Sequence, residues 1–166
     1  MNNINAISEE YVWEILGSVM DPEIPKISVV DLGMITHVSV SDRNDILVKM
    51  TPTFAACPAI NVLKLDIFNA VDSIPGRNSA DVQVTYDISW DTNRITEKGR
   101  QILKEFGLAP PEKHQGDVCM KMLQEVECPH CDSKNTSFQS TFGSTLCRAI
   151  HYCNDCKQSF EQFKPL

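Results

Sequence analysis

Seven cysteines are the residues of this 166-residue chain most able to do chemistry, and four of them are regularly spaced. Cys128-Pro-His-Cys131 and Cys153-Asn-Asp-Cys156 are two C-x-x-C pairs separated by 21 residues. Two thiolates on one tight turn aim their sulfurs at a common ion, and two such turns complete a tetrahedral four-cysteine site. The separation is slightly longer than the usual zinc spacing. Strand-like stretches at Thr136–Thr141, Arg148–Tyr152 and Ser159–Phe163 surround the pairs. The expectation is a C-terminal zinc β-ribbon with one structural zinc per chain, held by Cys128, Cys131, Cys153 and Cys156. About forty residues make too small a core to fold unaided, so the ion supplies much of the folding energy. A rubredoxin-like iron site has the same ligands and is the alternative. Cys147 and His130 could replace a ligand, but a Cys next to a strand reads rather as packed, or free and exposed, and His151 reads as a strand residue.

The other chemical stretch is Thr51-Pro-Thr53-Phe-Ala-Ala-Cys57-Pro58-Ala-Ile60. It joins an alternating apolar run, Asp45 to Met50, to a helical apolar pattern. Pro58 suits the first helical position, where its missing N–H costs nothing. Cys57 would then lie beside a helix N-terminus, where free N–H groups and the positive dipole end favour a thiolate. Such a thiol is a candidate metal or sulfur ligand, or a nucleophile. The plainer reading is a small buried hydrophobe, as most free cysteines are. A nucleophile requires a base in reach, and the candidates are His37 on a strand and His114 in a linker. Neither is placed by a local motif.

The elements that must position these residues are legible in order. Ser8 with Glu9 and Glu10 reads as an N-cap and acidic first turn. Tyr11, Val12, Ile15, Leu16, Val19 and Met20 continue a helix that Asp21-Pro22 ends. Asp21, Glu23 and Asp31 fall in an irregular acidic loop, where they are solvated, cap loop amides or surround a thiol. Ile35–Val40 and Ile46–Met50 alternate as a hairpin about Ser41–Asp45. Ile60, Leu63, Ile67, Ala70, Val71 and Ile74 form one helical stripe, with Val62 and Leu65 opposite. That helix is either well buried or faces a partner. Val82, Val84, Tyr86 and Ile88 alternate as a third strand. Trp90 to Thr96 is a loop, and Thr96-Glu97 opens a last helix through Phe106. The fold class is therefore a small α/β (α+β) sandwich, order α-β-β-α-β-α, followed by the ribbon. The domains read as 1–110, a linker at 111–126, and 127–166.

Composition narrows the function. Net charge is −7 with a pI near 5.0, which opposes nucleic-acid binding. Residues 1–126 hold 11 Lys+Arg against 18 Asp+Glu, whereas 127–166 hold four of each. The start has neither a basic nor an apolar leader region, and no apolar run approaches membrane-spanning length. An odd number of cysteines with two C-x-x-C pairs fits a reducing compartment. The expectation is a cytoplasmic protein with no membrane or nucleic-acid partner.

Asp21-Pro-Glu-Ile-Pro, Ser28-Val-Val-Asp31-Leu-Gly-Met-Ile35 and Thr51-x-Thr53-x-x-x-Cys57-Pro58 resemble the iron–sulfur assembly-factor family that includes SufT-type proteins. With Trp90-Asp-Thr and the C-terminal ribbon, the whole chain resembles the D-subunit family of bacterial phenylacetyl-CoA epoxidases, the PaaD type. The resemblance implies a non-catalytic accessory role in phenylacetate degradation. That role would aid assembly of iron–sulfur or iron centres in oxygenase and reductase components. It implies Cys57 as the functional thiol, with Asp21, Glu23, Asp31, Thr51 and Thr53 gathered near it, and transient iron or cluster as cargo. A purely structural subunit and, behind it, a thiol enzyme are the competing readings. A homo-oligomer is compatible with each.

Overall fold

The computed structural model describes residues 6–54, 57–116 and 118–166. They belong to two compact units, Met1–Trp90 and Asp91–Leu166. In the first, α1 (Glu9–Leu16) precedes β1 (Ile35–Val40) and β2 (Asp45–Met50), α2 (Ile60–Asp72) and β3 (Ser79–Val84). The sheet order is β1-β2-β3, with β1 antiparallel to β2 and β3 parallel to it. Ile46, Val48 and Met50 form the buried side of β2. Val12 and Leu16 of α1 and Leu63, Ile67 and Val71 of α2 are equally buried, the amphipathic faces the apolar spacing requires. Ser8 caps α1, its hydroxyl accepting from the Tyr11 N–H at 3.2 Å. Asn44, at φ 60°, closes the hairpin turn, and its side-chain amide donates to the Gly76 carbonyl.

Three boundaries differ from the sequence expectation. α1 stops at Leu16 rather than Met20, because Val19 and Asp21 enter a short extended pairing with Val29 and Ile27. β3 stops at Val84, leaving Tyr86 and Ile88 exposed, since its partner β2 ends at Met50 and Pro52 has no N–H to offer. α2 opens at Ile60 after a tight turn in which the Ile60 N–H donates to the Cys57 carbonyl. Pro58 therefore lies in that turn, ahead of the first helical position.

The second unit starts with a 3₁₀ turn at Thr92–Arg94, then α3 (Glu97–Glu105), β4 (Leu108–Ala109) and α4 (Lys121–Gln124). β5 (Thr136–Ser140), β6 (Arg148–Cys153) and β7 (Ser159–Phe163) follow, in the sheet order β4-β7-β6-β5. Thr96 caps α3 as its spacing predicts, accepting from the Gly99 N–H. The compact units divide at Trp90 rather than at residue 110, so α3 groups with the ribbon. Arg100 of α3 donates to the carbonyls of Thr92 and Pro111, and Lys104 pairs with Asp132. β4, unforeseen in the sequence, pairs parallel with β7. The 111–126 segment, read as linker, is bound too: Val126 is buried and the Met122 carbonyl accepts from Gln162. Among the described residues, no helix is long and apolar enough to cross a membrane.

Trp90 helps to hold the loop that precedes β1. The buried Trp90 indole N–H donates to the Leu32 carbonyl at 2.9 Å. Replacing Trp90 by Phe keeps most of the packing and leaves a carbonyl without that donor. The expected loss is about 1–3 kcal/mol, read as a lowered urea midpoint with unchanged slope.

Candidate metal centre and candidate thiol site

Cys128, Cys131, Cys153 and Cys156 converge, their ligand atoms all lying within 4.8 Å of one another. Cys128 Sγ is 3.7 Å from Cys156 Sγ, and Cys131 Sγ is 3.6 Å from Cys153 Sγ. A tetrahedral ion with metal–sulfur bonds of ~2.3 Å needs S···S edges of about 3.8 Å. The cluster therefore has the size of a metal site. Its two halves are built alike. Asp132 and Lys157, each just after the second Cys of its pair, take positive φ (59° and 63°). Each returns its N–H to the carbonyl of the first Cys, Cys128 or Cys153. That curl turns backbone N–H groups toward the sulfurs: His130 and Cys131 toward Cys128, Ser133 toward Cys131, and Gln158 toward Cys156. The N–H groups of Cys156 and Asp155 hold the Cys153 thiol down to about 6, while burial pushes the Cys128 thiol up. A bound divalent cation would supply the charge that lets all four ligate as thiolates.

The four cysteines that cluster are the ones the spacing singles out as candidate ligands. Cys147 stays outside it, half-buried, with the Thr145 hydroxyl 3.0 Å from its sulfur. His130 leans on Gly107, where an added Cβ would sit 3.2 Å from its ring. His151 is a core residue, stacked on Phe160 at 5.3 Å with Gln162 on its Nε2. Asp155 ties the two knuckles together by accepting from Ser133 and Asn135.

In the first unit, Cys57 is half-buried and follows the Thr51–Phe54 turn, its N–H donating to the Phe54 carbonyl. Thr51 is buried and its N–H donates to the Met34 carbonyl, joining this junction to the acidic loop. Thr53 is half-buried. Asp21 works as a loop cap, its Oδ1 accepting from the N–H groups of Glu23 and Ile24 at 2.8 and 2.9 Å. Glu23 itself is exposed. Asp31 is buried and accepts from the Ser28 hydroxyl at 2.8 Å, while that hydroxyl accepts the Asp31 N–H. Ser28 is a supporting residue that sequence reasoning does not single out; its Ser-x-x-Asp spacing is the available signal. Gly33, at φ 68°, makes the turn between Asp31 and β1.

Comparison with known proteins follows the same division. Residues 9–84 match the family model for an iron–sulfur cluster assembly protein, and residues 114–164 match the PaaD zinc beta ribbon domain. A relative in Escherichia coli, the putative D subunit of 1,2-phenylacetyl-CoA epoxidase, is 36% identical over 154 residues. That likeness covers 92% of this chain and 90% of the relative. An Fe-S protein maturation auxiliary factor of Porphyromonas gingivalis is 34% identical over 98 residues, covering 59% of this chain and 92% of that one. A solved structure of a conserved hypothetical protein from Thermotoga maritima superposes with a TM-score of 0.53 at 30% identity. It covers 65% of this chain and all of the other. The Escherichia coli likeness runs through both units, and the ribbon carries the PaaD pattern by itself. The chain belongs to the PaaD-type family of phenylacetyl-CoA epoxidase D subunits.

Proposed function

We propose that this chain is a non-catalytic accessory and maturation factor of a phenylacetyl-CoA epoxidase. It would serve iron–sulfur cluster or iron-centre assembly in the oxygenase and reductase components. The names of the two relatives support this reading, one a D subunit and the other a maturation factor. The observation that carries it is the position of Cys57. This half-buried thiol lies at a strand-to-helix junction, within the stretch matched by the assembly-protein family and outside the four-thiol cluster.

Cys57 is the group that handles iron or sulfide. One thiol cannot hold a cluster that needs four protein ligands, so the cargo passes through rather than stays. The remaining ligands come from the client, a small thiol or a second protomer. Glu23, Thr51 and Thr53 belong to the surroundings of that thiol. Asp21 and Asp31 act as positioning residues, because their carboxylates hold the loop amides and Ser28. The same bonds favour the second reading, a purely structural subunit, since they make both aspartates useful to the fold alone. A thiol enzyme has less support. His37 is exposed on β1 opposite Lys49, and the His114 ring meets Thr92 and the Leu166 carbonyl.

The ribbon ion is zinc, held by Cys128, Cys131, Cys153 and Cys156. Its role is to bind the two knuckles and so fold the small unit. Replacing any one of these cysteines by Ser is expected to abolish the ion and unfold the ribbon strands. The Met1–Trp90 unit should keep its fold. Metal analysis should find about one zinc per chain. Absence of zinc, or a ribbon still folded after thorough chelation, contradicts the assignment.

Cys57→Ser separates handling from packing. Handling gives near-native melting and normal partner binding, with a client depleted in iron or sulfide. Packing gives a stability loss of ~0.5–3 kcal/mol with a fully loaded client. Asp31→Asn should give a weaker form of the Cys57→Ser defect. Full cluster content and turnover of the epoxidase with Cys57→Ser would make the residue structural.

A further inference from the structure

α2 leaves part of its surface uncovered beside the candidate thiol. Leu63, Ile67 and Val71 are buried, but Val62 and Leu65 are 50% and 56% exposed. The structure therefore decides between the two possibilities the sequence leaves for this helix: it is not buried all round. At about 100° per residue, Val62 and Leu65 lie roughly 60° apart and share one face. Asp66 and Asn69, both exposed, fall on that face as well. Lys64, the cation of the helix, lies roughly 160° from Val62, on the far flank. Pro58 is exposed one turn upstream, next to Cys57. The uncovered stripe is thus an apolar pair with acid beside it, starting at the thiol.

Charge selects what can cover it. Residues 1–90 hold 5 Lys+Arg against 12 Asp+Glu, and 91–166 hold ten of each, so the whole net charge of −7 belongs to this unit. A second copy of the unit, an anionic lipid surface or a nucleic acid would meet like charge. A protein surface with an apolar centre and a basic rim meets the opposite sign. We infer that the Val62–Leu65–Asp66 stripe of α2 is the docking surface for the client, and that the client presents such a basic-rimmed apolar patch. This rests on the reading of Cys57 as the handling thiol and adds where the client sits: along the helix that begins at that thiol.

The test titrates the full chain against the purified reductase component and against the purified oxygenase subunits, at low and raised salt. Val62→Ser/Leu65→Ser is expected to melt as the wild type does and to lose tenfold or more in affinity for a component. Asp66→Lys, a surface change, should weaken binding severalfold and flatten its salt dependence. The proposal is overturned if the double variant and Asp66→Lys both bind with wild-type affinity, or if the wild type binds neither component. It is also overturned if the wild type alone forms a dimer that the double variant abolishes, or if it binds anionic phosphatidylserine vesicles through this stripe. Failure of the underlying reading has a different signature, a fully iron-loaded client with Cys57→Ser, and is read independently of these affinities.

Discussion

The constraint on which the first unit depends is the parallel pairing of β2 with β3. Antiparallel neighbours can be joined by a tight turn, as β1 and β2 are, but parallel neighbours require a crossover. The chain must therefore leave β2 at Met50, pass over the sheet and return at Ser79. α2 is that crossover, and Cys57 lies on the way into it. Cys57 lies where it does because a strand end must become a helix start within a few residues. The side of α2 toward the sheet is fixed by burial of Leu63, Ile67 and Val71, which leaves the opposite side for other uses. The thiol and the exposed stripe are thus two consequences of one connection. The acidic loop is fastened to the end of β2 by the Thr51 N–H on Met34, and to the segment after β3 by the Trp90 indole on Leu32.

The second unit depends on a different interaction. Its buried apolar residues include Ile95, Leu103, Leu108, Ala149 and Phe163, and a cluster of Ala109, Val126 and Phe160 into which the candidate ligands Cys128 and Cys153 are packed. The candidate ligands are thus core residues as well, and an ion bound by them would add its binding energy to apolar burial. The second C-x-x-C pair spans the connection from β6 to β7, and β7 offers β4 an edge to pair with. The even charge balance of this unit contrasts with the acidic first unit and leaves electrostatic steering to the unit with the candidate thiol.

Much of this was legible in the sequence because the signals were local. The ribbon strands followed from alternation, and the clustering of four cysteines from their spacing. Ser8 and Thr96 announced their helices as caps. The assembly-protein likeness and the ribbon together named the family, and the comparisons bear that out. What the sequence did not carry was non-local. Tyr86 and Ile88 continue the alternation of β3, but a strand ends where its partner ends, and β2 stops at Met50. Leu108-Ala109 is too short to read as a strand until β7 lies beside it. The grouping of α3 with the ribbon depends on Arg100 reaching the Thr92 carbonyl and Lys104 reaching Asp132, contacts no periodicity reveals. In the candidate site, the types of Asp21 and Asp31 were visible, whereas their bonds to loop amides and to Ser28 required coordinates.

We propose that this chain loads metal centres of the epoxidase rather than only bracing the complex. The most direct measurement is the iron and acid-labile sulfide content of the oxygenase and reductase components purified from cells with and without this chain. Maturation requires components that are folded and abundant in both cases but poor in iron or sulfide when the chain is missing. Components equally loaded in both cases, differing only in how well they hold together, would contradict it.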